Sequence, residues 1–225
     1  MAIQLAGATV GNVAEVNATF KTLRVTSYPP EALGYYCISA MTGLQTLTVA
    51  RTATLGSIFA FRNPDAAKVC VIQYVRIRYQ TITAFTAAQE MAYRCFVARS
   101  FTSQFTTGGT AISSAGAGGF KKRASYPTSI IGATGAIIAT TAGLTTATYT
   151  LDAQEMFGLN TYSQTGAAPA VRSDQAEWNM TSSQDSPVVL VQNEGIIITN
   201  EILMGAAGTA RVLVDLAWFE ANAYP

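Results

Sequence analysis

The chain has 225 residues, 12% of them charged and 49% apolar, with 14 Lys and Arg, 13 Asp and Glu and no histidine. That length accommodates one sizeable β domain or two small ones. The net charge of +1 and a single basic cluster, Lys121-Lys122-Arg123, argue against nucleic acid as the main partner. Lack of histidine removes the commonest general base, the Ser-His-Asp and Cys-His arrangements, and the commonest metal ligand. A surface so poor in charge is expected to be covered in part by other subunits.

Residues 1 to about 35 read as an extended N-terminal arm, with the remaining 36–225 as the folded domain. Gly7, Gly11, Pro29 and Pro30 interrupt the arm, and its apolar residues Val13, Val16, Phe20, Leu23 and Val25 keep no sustained period. Such a segment frays unless it is tied down. It either lies on a neighbouring molecule, the reading favoured here, or forms an ordinary first strand and linker.

Strand signals begin at Tyr35. Ser57 to Arg62 is a short apolar run stopped by Asn63-Pro64-Asp65, a turn signal. In Val69–Thr83, Val71, Val75, Ile77 and Tyr79 alternate with Arg76, Arg78 and Gln80, the pattern of a sheet with one dry face. Met91, Tyr93, Cys95 and Val97 repeat every second residue, so Glu90–Phe101 is a strand and not a helix. Thr102 to Gly119 reads as a long loop, followed by strands at 129–140 and 146–151. Asn160 to Ser186 is a polar excursion that carries Trp178. The C-terminal stretch, Pro187 to Glu220, reads as a hairpin meander on which the rest packs, with Val212, Val214 and Leu216 sharing a face. Many short strands and no amphipathic helix predict an all-β, antiparallel β-sandwich of jelly-roll type.

The three cysteines, Cys37, Cys70 and Cys95, lie far apart without zinc spacing, which predicts buried small hydrophobes in a reducing compartment. No signal peptide is expected from the first residues, and Ile130–Leu144 is too short and interrupted to span a bilayer. The closest acidic pairs are Asp152 with Glu155 and Asp174 with Glu177, which read as surface acids near turns. Gly116-Ala-Gly-Gly-Phe-Lys121 misses both phosphate-loop patterns. No catalytic residue, metal or cofactor is assigned. Lys121, Lys122 and Arg123 form either a solvated corner or a dock for an acidic partner. Trp178 stacks on a sugar ring, anchors an interface, or closes the end of the sandwich.

Several stretches together resemble virion structural proteins of tailed bacteriophages. They include Ala18-Thr-Phe-Lys-Thr-Leu-Arg-Val25, Phe61-Arg-Asn with Ala67-Lys-Val-Cys-Val-Ile-Gln73, Phe85-Thr-Ala-Ala-Gln-Glu90, Gln192-Asn-Glu-Gly-Ile-Ile-Ile198 and Met204-Gly-Ala-Ala-Gly-Thr209. The resemblance implies a component of the phage particle and brings no catalytic residues with it. The reading favoured here is a non-enzymatic head decoration, or cement, protein on the outer surface of the phage head, made in the host cytoplasm. Its expected partners are further copies of itself, as a dimer or trimer, and the major capsid protein, with neither nucleic acid nor membrane. A tail fibre or receptor-binding module, and a tail or neck component, are the alternatives.

Overall fold

The computed structural model describes residues 32–46, 56–113, 120–162, 173–180, 187–203 and 208–222. The arm positions Val13, Val16, Phe20, Leu23 and Val25 lie outside these residues. All regular structure among the described residues is strand. The elements are β1 (Ala32–Met41), β2 (Ser57–Asn63), β3 (Val69–Thr83), β4 (Glu90–Ser103), β5 (Gly109–Ala111) and β6 (Ala136–Ala139). They continue with β7 (Thr148–Leu151), β8 (Phe157–Tyr162), β9 (Ser173–Asn179), β10 (Val189–Leu190), β11 (Glu194–Asn200) and β12 (Thr209–Ala221). β1 begins inside the segment assigned by sequence to the arm.

The strands form two antiparallel sheets that pack as a β-sandwich. One runs β1-β12-β3, with β9 and β10 end to end along the far edge of β3. The other runs β5-β6-β2-β11-β4, with β7 and β8 along the far edge of β4. The expected C-terminal meander is therefore corrected. β11 sits centrally in one sheet and β12 centrally in the other, so the turns around them cross between layers. Their β-branched, apolar composition suits the middle of a sheet rather than a two-stranded hairpin.

The core lies between the layers. Trp218 of β12 meets Phe61 of β2 edge-on at 4.8 Å between ring centroids, and Tyr79 of β3 approaches Tyr93 of β4 at 5.8 Å. In β3 the predicted alternation holds for Val75, Ile77 and Tyr79 and fails at Val71. The pairs Ala217–Tyr74 and Trp218–Ile72 skip Gln73, a β-bulge. One extra residue reverses every side chain before it. Ile72 and Cys70 therefore join the main core, while Val71 packs with Phe219 and Ala221 in a second small cluster.

The second sheet is buried on both faces. Ile58, Ala60 and Ile197 alternate with core residues, yet each has no exposed surface. The cover includes an aromatic cluster of Phe101 at the end of β4, Phe105 just after it and Tyr149 of β7, with centroids 5.4–6.1 Å apart. Phe101 lies directly over Gly195 of β11, where any Cβ would strike its ring and the Phe61 carbonyl. The loop expected from Thr102 thus holds a short strand, β5, and part of a lid. Within the predicted strand 129–140, only 136–139 is strand.

Candidate functional site

The three parts of the sequence-based interface fare differently. Trp178 is not in a loop. It sits on β9 opposite Val75, with 8% of its surface exposed, and belongs to the main core. A ring so placed offers no platform for a sugar. The surrounding sequence is polar because β9 is an edge strand whose other side faces solvent: Gln175 and Glu177 are exposed.

The basic cluster is built onto the edge of the first sheet. Cys37 N–H donates to the Phe120 carbonyl at 2.8 Å, and Lys122 N–H donates to the Tyr35 carbonyl at 2.9 Å. Residues 120–122 thereby occupy the free edge of β1, an edge that would otherwise invite strand addition. Phe120 anchors them by packing edge-on against Trp218 at 5.6 Å. Lys122 reaches over the Tyr35 ring at 5.9 Å, and both Lys122 and Arg123 are exposed. β1 starts three residues before Tyr35, so the first residue of the strand and the basic cluster lie close together along one edge.

A buried carboxylate holds this segment in place. Glu220 Oε1 accepts from Ser129 Oγ at 2.5 Å, Ile130 N–H at 3.1 Å and Trp218 Nε1 at 3.2 Å. Burial raises the Glu220 carboxyl above its ordinary range, against the pull of those donors and of Lys68. Burial and then the Glu220 charge likewise push up the Tyr36 hydroxyl, which donates to the Pro127 carbonyl at 3.1 Å.

The carboxylates singled out by sequence are all engaged. Asp152 pairs with Arg99 at 3.0 Å, Glu155 with Arg94 at 2.6 Å and Glu177 with Arg76 at 2.6 Å, while Thr161 donates to Asp174. No group of three metal-ligating side chains comes together among the described residues. Gly116–Gly119 lies outside them.

The structure adds a feature that the sequence reading missed. A cleft of about 500 Å³ opens between the end of β2, the start of β6 and the turn after β4, with Arg62 in its wall. Arg62 Nε donates to the Phe101 carbonyl at 2.5 Å and Nη2 to Asn193 Oδ1 at 2.8 Å. The only sequence signal was an arginine closing an apolar strand. Its neighbours in the cleft come from residues 40 to 75 positions later.

Compared with known protein families and with curated proteins, the chain matches none.

Proposed function

We propose that the chain is a structural protein of a tailed-bacteriophage particle, a head decoration protein that stabilises the shell by contact and acts as a homo-oligomer. The supporting observation is the adjacency at the β1 edge. Ala32, where the arm ends, pairs with Ala221, and a few residues on Tyr35 carries Lys122. The strand that follows the arm in sequence thus also carries three cations along its edge. An acidic surface that accepts a peptide strand is the complementary partner.

A jelly-roll topology is part of this proposal, and the sheet order supports it. β1, β12, β3 and β9 face β2, β11, β4 and β8, and β5 and β6 are an insertion that extends the second sheet. Such a sandwich is a rigid body that presents its ends and edges. A few hundred Å² of apolar arm contact contributes several kcal/mol gross at ~25 cal/mol per Å², before ordering costs. Many copies on one particle multiply the effect.

The test is loading onto undecorated particles, read by co-sedimentation. A chain lacking residues 1–25 and the double variant Lys122→Glu with Arg123→Glu are both expected to stay folded, with unchanged urea midpoints. Each should load at least tenfold less than the parent protein. Parent-level loading by both variants would sink the proposal.

A further inference from the structure

The Arg62 cleft has no role in shell contact through the β1 edge, and its chemistry is that of a ligand site. We propose that it binds a small monocarboxylate carried on a polyhydroxy body, a sugar acid such as a uronate. This inference is independent of the particle reading.

Three observations carry it. First, Arg62 is half-buried, and no carboxylate pairs with it among the described residues. The arginines of β3 and β4 differ: Arg76, Arg78, Arg94 and Arg99 each hold an acid. Two neutral oxygens, those of Phe101 and Asn193, fix its plane. They use two of the five N–H groups a guanidinium carries, which leaves three without an assigned acceptor. A planar carboxylate takes two parallel N–H bonds from such a fork. Burial pulls the Arg62 pKa down, the sign of a cation whose lost hydration is not replaced by a counter-charge.

Second, the walls suit a hydroxylated body. Thr102, Ser103, Thr106 and Thr134 supply hydroxyls, while Phe105 and Ile137 supply apolar surface. Gln104 is already committed: its Nε2 donates to the Gly135 carbonyl at 2.9 Å and its Oε1 accepts from Phe105 N–H at 3.0 Å. The cleft edge is therefore braced and not improvised by a loose side chain. Third, the size fits. A cleft of about 500 Å³ falls within the ordinary range of small-molecule sites and exceeds what one free anion fills. One cation, with no lysine in the lining, matches a single negative charge better than a phosphate dianion.

Saturation-transfer NMR and calorimetric titration with glucuronate, glucose and inorganic phosphate test the assignment on the full chain. Glucuronate should bind saturably, at least tenfold more tightly than glucose or phosphate. Arg62→Gln should remove that preference. Because Arg62 also braces Phe101 and Asn193, a second variant protects the test from misfolding. Thr134→Glu, at an exposed position in the lining, brings a rival carboxylate to the guanidinium and should abolish glucuronate binding with an unchanged urea midpoint. Absence of saturable binding, equal affinity for glucose or phosphate, or full binding by folded Thr134→Glu would each overturn the proposal.

Discussion

Tyr36 and Trp218, cross-strand partners on β1 and β12, stack with ring centroids 5.6 Å apart and planes inclined by 22°. Phe61 and Phe120 close on the same indole from two other directions. Trp218 therefore joins the edge strand, the facing sheet and the 120–131 segment in one fully buried cluster. Trp218→Ala leaves a large cavity and removes one of the three donors to Glu220 Oε1. A loss of about 3–5 kcal/mol is expected, read as a fall in urea midpoint at unchanged slope.

Glu220 makes stability depend on pH. Its folded pKa lies above the ordinary 4.5, so the folded chain holds the proton more tightly than the unfolded chain. This contribution is fully present below 4.5 and is lost as pH rises through the folded value. Glu220→Gln keeps an uncharged acceptor for Ser129 and Trp218 and has no proton to lose. The stability difference, variant minus parent, should grow as pH rises from 4.5 toward neutrality; a difference that stays flat would refute the assignment.

Arg99 spans three strands at the surface. Its Nη2 meets Asp152, just after β7, at 3.0 Å, and its Nη1 meets Glu194 at the start of β11 at 2.6 Å. The two acids raise its pKa, yet its side chain is 45% exposed and solvent screens the pairs. Arg99→Ala should cost only about 0.5–1 kcal/mol at low salt, and less at high salt. Chemical denaturation with urea at two ionic strengths measures both values.

The cysteines should differ in reactivity. Cys70 and Cys95 are fully buried, and desolvation pushes both thiols well up, so neither offers a thiolate. Cys37 lies half-exposed on the outward face of β1. Under native conditions a maleimide should label Cys37 alone, with Cys70 and Cys95 following only after unfolding. Rapid labelling of all three would mean that the core opens readily.

Gly195 should tolerate no side chain. A Cβ there would run into the Phe61 carbonyl and come within 2.8 Å of the Phe101 ring. Backbone cannot move aside as a side-chain tip can, so Gly195→Ala should destabilise by about 2 kcal/mol or more and loosen the aromatic lid. Thermal melting monitored by near-ultraviolet circular dichroism tests both effects.

Alternation made the long strands legible. Met91, Tyr93, Cys95 and Val97 all face the core, as do Val212, Val214 and Leu216. The same rule misplaced Val71, because a bulge at Gln73 leaves no mark in the hydrophobic pattern. β8 and β9 were lost inside a polar excursion: Asn160, Tyr162, Gln175 and Glu177 are exposed edge-strand residues, and their sequence reads as loop. The double burial of the second sheet was also out of reach. Its lid comes from Phe101, Phe105 and Tyr149, remote in sequence from Ile58 and Ile197. The Arg62 cleft was hidden for a related reason, since a concavity belongs to the meeting of segments and not to any one of them.

The pairing of Ala32 with Ala221 also governs how the molecule can be handled. Passengers fused immediately ahead of β1 or immediately behind β12 would hang from a single pole. Met41, at the far end of β1, marks the opposite pole, some 30 Å away by strand rise. That end would stay unencumbered for immobilisation through a surface label.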